Sequence, residues 1–451
     1  MQNLIVTSPL NNQVIAELDY MGYKETILVI DQAEEALKSW KDIPVSKRSS
    51  ILESWYNLVE LNKKEIASIL NEEQGKPFEE AVKEVEYANS FIKFYSQEIL
   101  RVFGESSPNF RDNQWFINIY EPIGVIGAIT PWNFPCAMIT KKIAPALAAG
   151  CPVVLKPSEE TPLTAIKLRE LGLQAGIPKE VFGIVYGDYK EIGKALLESK
   201  KIKMISFTGS VDVGKYLMKH AASTVKKVVL ELGGNAPCIV FKDADLELSV
   251  EKIIQGKFRN AGQACTAPNR IFVEESILEE FTGLLIQKLS KKTLYNIGPL
   301  INNKAKEKTN NLINRAIYCG AKILYRQYDI EKQTSKLYFS PLVIGNLKDD
   351  MDIVKEEIFA PVFSILSFKE MQEVIDRSNN TQYGLAAYIF SSDLKKALYV
   401  AKKLNFGVFG INEASTAADL TIHGGFNESG LGREGGKAGL MEYFENKFIV
   451  F

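Results

Sequence analysis

Histidine is nearly missing from this chain of 451 residues, which has only His220 and His423. A zinc site built on imidazoles, or catalysis by several histidine acid/base pairs, needs more than two. No metal site is therefore expected, and the base of any enzyme here falls to a carboxylate. Excess charge is missing as well: 54 Lys+Arg face 55 Asp+Glu, and no basic run exceeds a lysine pair and its neighbours. That balance argues against a surface that holds nucleic acid by neutralising phosphates. The five cysteines, Cys136, Cys151, Cys238, Cys265 and Cys319, form no C-x-x-C pair, so neither a disulfide framework nor a zinc ribbon is indicated. Every long apolar run is broken by proline or charge, and Met1-Gln-Asn-Leu-Ile-Val-Thr-Ser-Pro lacks the pattern of a signal segment. A soluble cytoplasmic protein with no membrane partner is expected.

What is present is a length sufficient for two or three domains. Apolar residues at three- and four-residue spacing predict helices over 30–40, 46–62 and 78–102, with a break at Gly75-Lys76-Pro77. Around Trp115, Ile117 and Ile119 the pattern changes to alternation, as in a strand or hairpin. From Val125 to Leu230, apolar runs at 125–129, 153–156, 183–185, 204–207 and 228–230 alternate with helical segments. This is the rhythm of a parallel sheet, and it makes a dinucleotide fold plausible before any motif is consulted. Further strands are predicted at 238–241, 270–273, 362–367 and 386–390, and the Gly-rich tail ends in a strand-like Lys447-Phe-Ile-Val-Phe451.

Taken singly, the chemical candidates are modest. Cys265 follows small residues in Asn260-Ala-Gly-Gln-Ala, which would let a substrate reach the sulfur, and Arg259 lies six residues upstream. It could equally be a buried structural thiol, since a nucleophile also needs access and a lowered pKa. Glu231 ends an apolar strand beside Gly233 and Gly234; it is either a solvated carboxylate or a base among apolar groups. Asn133 lies between two prolines in Thr130-Pro-Trp-Asn-Phe-Pro135, a plain turn or a rigid mount for an oxyanion donor. Lys156 and Glu159 follow one strand and could grip ribose hydroxyls. The turn Phe207-Thr-Gly209-Ser210 opens a helix and suits a pyrophosphate, although it is not G-x-G-x-x-G and could be purely structural.

Together these segments resemble the aldehyde dehydrogenase superfamily over nearly the whole chain from about residue 30. The resemblance is carried, in the family's order, by Pro131-Trp-Asn-Phe-Pro135, Lys156-Pro-Ser-Glu159, Phe207-Thr-Gly-Ser210, Glu231-Leu-Gly-Gly234, Gly262-Gln-Ala-Cys265, Glu356-Glu-Ile-Phe359 and Ser429-Gly-Leu-Gly-Arg-Glu434. It implies an α/β fold with a Rossmann-like cofactor domain (1–104 and 123–232), an α/β catalytic domain (233–425) and a small β oligomerisation element (105–122 and 426–451) that forms a homodimer or homotetramer. It makes Cys265 the nucleophile, with the oxyanion of the thiohemiacetal held by the Asn133 amide and the Cys265 backbone N–H. Hydride would then pass to the nicotinamide, and Glu231 would activate the water that hydrolyses the thioester. Lys156 and Glu159 would hold the adenosine ribose, Ser210 the pyrophosphate and Glu357 the nicotinamide ribose, with Trp132, Gly209 and Phe359 in the same cofactor site. A carboxylate at 159 favours NAD over NADP, which stays the other option.

Within that superfamily, Met138-Ile-Thr-Lys141-Lys142, Phe258-Arg259-Asn260 and the tail Glu428 to Gly436 look like the succinate-semialdehyde branch. There Arg259 and Lys141 would bind the distant carboxylate of the aldehyde, although Lys141 stands where Arg is familiar and could be a surface lysine. Ala360 replaces a usual Gly, and His423-Gly-Gly-Phe-Asn427 departs from the family's Phe-Gly-Gly-x-Lys near the substrate mouth. No clear hydroxyl counterpart for the carboxylate stands among Ser415, Thr416, Ala417 and Ala418, and Ala267 removes the second cysteine of a local redox switch. The expected reaction is oxidation of succinate semialdehyde to succinate. The alternatives are glutarate or 2-oxoglutarate semialdehyde, a CoA-acylating enzyme, or a non-catalytic protein on the same fold.

Overall fold

Strands buried on both faces read as continuous apolar runs, and those between Val125 and Glu231 assemble as that rule requires. In a computed structural model, which describes residues 3–107, 114–291, 297–327, 335–416 and 421–451, they form a six-stranded sheet. Its order is Gly430–Leu431, Lys227–Glu231, Ile202–Thr208, Val125–Ile129, Val153–Lys156, Phe182–Ile184. All neighbours are parallel except Gly430–Leu431, which pairs antiparallel with Leu230 and Glu231. Strand order reverses at Val125–Ile129, the switch point outside whose carboxyl edge such sheets bind ligands. The loops after Ile129, Lys156, Thr208 and Glu231 all leave from that edge.

A second sheet has seven strands in the order Lys322–Arg326, Leu342–Gly345, Val362–Phe368, Arg270–Glu274, Pro237–Val240, Ala386–Phe390, Val408–Ile411, parallel except for the first. The four strands expected here are present with ends shifted by a residue. Three more, at 322–326, 342–345 and 408–411, were not anticipated. A third, antiparallel sheet joins Phe444–Val450, Phe116–Pro122 and Glu105–Ser107. Residues 108–113 of the expected 105–122 segment lie outside the described residues. The 426–451 segment is shared: Gly430–Leu431 belongs to the six-stranded sheet, and only Phe444–Val450 belongs to the small one.

The helices Val45–Leu61, Lys63–Gln74 and Phe78–Glu98 pack with Pro135–Ala149 around one core, whereas Tyr23–Trp40 places Ile30 and Ala33 in another, beside Val125, Val154 and Ile205. The break before Phe78 has a steric cause. Gly75 adopts φ +90°, and a Cβ there would lie 2.8 Å from Pro9 and 2.9 Å from Pro299. Pro135–Ala149 is buried on every side, and Lys141 and Lys142 are buried within it. Two lysines in so apolar a setting need a partner, and both turn to the carboxylate of Glu434. Among the described residues, no helix is long and apolar enough to cross a membrane.

Candidate active site

Cys265 follows a strained turn. Asn260 (φ 49°), Ala261 (φ 54°) and Gly262 (φ 75°) are consecutive left-handed residues, a conformation that only glycine adopts freely. Hydrogen bonds hold it in place. The Asn260 N–H donates to Glu80 Oε1 at 2.6 Å and its side-chain amide to the Asn133 carbonyl at 2.8 Å. Gln263 donates to the Asn260 and Pro299 carbonyls at 3.1 and 3.2 Å and accepts from the Ile301 N–H at 2.9 Å. A Cβ on Gly262 would meet the Ala360 carbonyl at 2.4 Å, and one on Gly234 the Cys265 carbonyl at 2.3 Å, so the loop is clasped from both sides. Of the five thiols, Cys136, Cys151 and Cys238 are buried, whereas Cys265 remains partly accessible. Burial of its other sides, then Glu357 and Glu231, push the thiol up to about 12, against Lys141 and Arg259. At rest it is a thiol that needs a base.

Asn133 reaches the same loop. One N–H of its amide donates to the Gln263 carbonyl at 3.1 Å, which leaves the second N–H to serve as a donor. The next residue, Phe134, has Arg259 over its ring at 4.5 Å. Arg259 itself has no ion pair among the described residues.

Glu231 is 3% exposed, and neither carboxylate oxygen has a hydrogen bond among the described residues. Burial and Glu434 push it up to about 8, against Lys141, Lys142 and Arg433. His423 Nε2 lies 3.8 Å from Glu231 Oε2, and a Cβ on the neighbouring Gly424 would lie 3.1 Å from Oε1. The His423 backbone is locked to Glu434 by reciprocal bonds of 2.7 and 2.9 Å. Burial and four cations (Lys141, Arg259, Lys142 and Arg433) hold the imidazole well below its ordinary pKa, so it is neutral. Lys142 is ion-paired with Glu434, and Lys141 lies 3.7 Å from the other Glu434 oxygen. Lys141 is thus no surface lysine: it is 3% exposed, and Glu434 raises its pKa despite burial. Its charge is shared with Glu434 instead of standing free for a substrate. Thr416 shares a hydrogen bond with Tyr388, Ser415 is exposed, and Ala417 and Ala418 lie outside the described residues.

The remaining candidates form a track along the same edge. Lys156 is paired with Glu159 at 2.6 Å. The Gly209 N–H donates to the Glu231 carbonyl at 3.0 Å, and a Cβ on Gly209 would meet the Phe207 ring at 2.3 Å. Ser210 is the N-cap of the eleven-residue helix Val211–Ala221 but makes no side-chain cap bond, which leaves first-turn N–H groups for an anion. Glu357 accepts from the Gly234 N–H at 3.2 Å, and burial pushes it up to about 7. Its other oxygen fills the space where a Cβ on Gly233 would come within 2.8 Å. Phe359, itself left-handed at φ 60°, meets the Trp132 ring edge-on at 5.6 Å. The uncapped helix and the glycine-walled carboxylate fit a dinucleotide's pyrophosphate and ribose.

Of the groups that support these residues, Glu80 and Glu84 carry no sequence signal, and Lys76, Asn260 and Gln263 stand there only as letters of a break or a motif. Lys142 and Glu434 had been read only as letters of a motif. The available signal was a lysine pair inside an otherwise apolar helical run.

A model of the aldehyde dehydrogenase family matches residues 2–449. The chain is 42% identical to the mitochondrial succinate-semialdehyde dehydrogenase of Oryza sativa subsp. japonica, over 98% of this chain and 85% of that one. It is 41% identical to the glutarate-semialdehyde dehydrogenase of Pseudomonas putida, over 99% and 94%. The crystal structure of an E. coli NADP-dependent enzyme superposes with a TM-score of 0.97 at 40% identity, covering 100% of this chain and 95% of that one.

Proposed function

Because this chain belongs to the aldehyde dehydrogenase family, whose members oxidise aldehydes with NAD or NADP, we propose that its substrate is an aldehyde bearing a distant carboxylate, with succinate semialdehyde favoured. The observation that carries the substrate class is Arg259, a guanidinium six residues before Cys265 that lies on the Phe134 ring and, although Glu80 is near enough to feel its charge, makes no ion pair among the described residues. The names of the succinate- and glutarate-semialdehyde relatives support it. Lys141, although paired with Glu434, adds positive potential that both Cys265 and Glu231 feel.

In this reading Cys265 attacks the aldehyde carbon while Glu231 receives the thiol proton, and the Asn133 amide with the Cys265 backbone N–H receives the oxyanion. The chemistry a bound dinucleotide supplies is that of a two-electron acceptor. Glu231 passes that proton to solvent, then takes a proton from the water that attacks the thioester and gives it to the departing Cys265 sulfur, so the acid leaves as the thiol is restored. Lys156 and Glu159 hold the adenosine ribose, Gly209 and Ser210 the pyrophosphate, and Glu357 the second ribose, beside Trp132 and Phe359. Glu159, as a ribose-facing carboxylate, favours NAD. A reducing, cytoplasmic setting belongs to the proposal because Cys265 must stay a thiol. The edge strand Phe444–Val450, with Phe448 64% exposed and Phe451 beyond it equally so, supports assembly into a dimer or tetramer through the small sheet.

The test is a panel of succinate semialdehyde, glutarate semialdehyde and a neutral aldehyde of equal length, each with NAD and NADP, on the native protein and on Arg259→Ala. A charge-assisted contact of about 1.5–3 kcal/mol predicts that Arg259→Ala raises KM for the acid aldehydes roughly 10- to 100-fold and leaves the neutral one alone. Equal kcat/KM for acid and neutral aldehydes in the native protein sinks the proposal. A preference for glutarate semialdehyde selects the longer acid, and a requirement for CoA would remove the water-activating role from Glu231.

A further inference from the structure

Lys76 lies in the break between the helices Lys63–Gln74 and Phe78–Glu98, and its side chain is entirely buried. An ammonium placed there is costly unless its protons are bonded, and its partners are specific. It is ion-paired with Glu84, donates to the Asn133 carbonyl at 2.9 Å and lies 4.2 Å above the Phe134 ring. The other oxygen of Glu84 accepts from the Cys136 and Ala137 N–H groups at 2.9 and 3.3 Å, which caps the helix that begins directly after Phe134. The ion pair therefore holds Asn133 from two sides, by its own carbonyl and by the helix that follows.

The nucleophile loop is tied to the same place. Asn260 donates to that same Asn133 carbonyl at 2.8 Å, and the Asn260 N–H is held by Glu80, one helical turn before Glu84. The first two turns of Phe78–Glu98 thus grip both the Asn133 segment and the strained loop before Cys265. Packing alone does not ask for charge here, because well-packed apolar residues often replace a buried ion pair without loss of stability. What an apolar side chain lacks is a donor for the Asn133 carbonyl. With that carbonyl fixed, and the Asn133 amide bonded to Gln263, the second amide N–H has one direction left to point.

We infer that Lys76 is a positioning residue for the oxyanion site: through the Asn133 carbonyl it aims the Asn133 amide at the carbon attacked by Cys265, without touching the substrate. The inference rests on the reading of Asn133 as the oxyanion donor. Such a donor acts only when already aimed, and a misplacement of about 1 Å lowers the rate by up to roughly 100-fold.

The experiment is a double-mutant cycle on the full-length enzyme with NAD and succinate semialdehyde, using Lys76→Met, Asn133→Ala and the pair. Alkylation of Cys265 by iodoacetamide and KM for NAD are measured alongside. Lys76→Met is expected to lower kcat about 10- to 100-fold and to leave the alkylation rate and KM for NAD within about 3-fold, since neither depends on the amide's aim. In the Asn133→Ala background the same substitution should change kcat less than about 2-fold. An equal loss in both backgrounds, or a parallel loss of alkylation and NAD affinity, overturns the inference. If Asn133→Ala alone leaves kcat unchanged, the oxyanion reading itself fails and takes the inference with it. Should Lys76→Met not fold, Lys76→Met/Glu84→Gln removes both charges, keeps an oxygen to cap the helix, and runs the same cycle.

Discussion

Two buried carboxylates lie in this site and differ in one respect. Glu84 has an ammonium and two backbone N–H groups on its oxygens, whereas Glu231 has no hydrogen bond among the described residues. Both are at most 4% exposed. A paired charge in a low-dielectric interior fixes the geometry of what it touches, and removing one member strands the other. An unpaired carboxylate in the same medium holds its proton more tightly and becomes a group that can exchange it near neutral pH. Glu84 therefore fixes its surroundings, whereas Glu231 is left able to exchange a proton.

The largest effects should separate the two. Glu231→Gln deletes the proton acceptor but keeps the shape, so kcat should fall about 10²- to 10⁴-fold while the melting temperature stays level, because a buried carboxyl group with no hydrogen bond among the described residues is replaced by a neutral group of the same size. Because Glu231 also receives the Cys265 proton, single-turnover formation of the reduced cofactor should slow as well, and the thioester that does form should hydrolyse slowly. Glu84→Ala should do the reverse in kind: it strands the Lys76 ammonium and uncaps a helix, with a loss of about 3–5 kcal/mol in denaturant unfolding. If Glu231→Gln destabilises the protein as much as Glu84→Ala does, the contrast between them is wrong.

The same contrast marks what the sequence could reveal. Five strands of the first large sheet and four of the seven in the second were legible because burial on both faces leaves an unbroken apolar run, and the ends of the first sheet's strands placed Asn133, Lys156, Gly209 and Glu231 on one edge; Leu342–Gly345, equally buried, was missed all the same. The α/β fold with a Rossmann-like sheet is as expected. The edge strand Lys322–Arg326, by contrast, is largely exposed, and Gly430–Leu431 is a strand only because Leu230 and Glu231 lie beside it. Neither carries a local signal. The ion pair of Lys76 was hidden because its partner is eight residues away across a helix break and its carbonyl acceptor 57 residues away. Lys141 reads in the sequence as a substrate ligand or a surface lysine, and Lys142 as a letter of the same motif. Only the packing of Pro135–Ala149, buried all round, turns them inward toward Glu434.

The smallest effect concerns His423, where the family's phenylalanine is replaced. Glu231 must be ionised to accept a proton, and burial has raised it to about 8. Thioester hydrolysis should therefore rise with pH through about 8 and level off above it, and Glu231→Gln should abolish that limb. His423 is neutral across this range because four cations oppose its protonation, so it adds no titration of its own. Its effect is that of a polar neighbour 3.8 Å from a carboxylate with no hydrogen bond of its own among the described residues. A modest movement of either side chain lets the imidazole N–H donate to the ionised form, which favours ionisation. His423→Phe removes that donor and deepens the apolar surroundings, both of which raise the Glu231 pKa. The limb should shift to higher pH by less than about one unit, in keeping with one hydrogen bond of about 1.5 kcal/mol. A shift to lower pH would mean that imidazole burial, not the donor, governs Glu231, and that His423 leaves this carboxylate unpartnered.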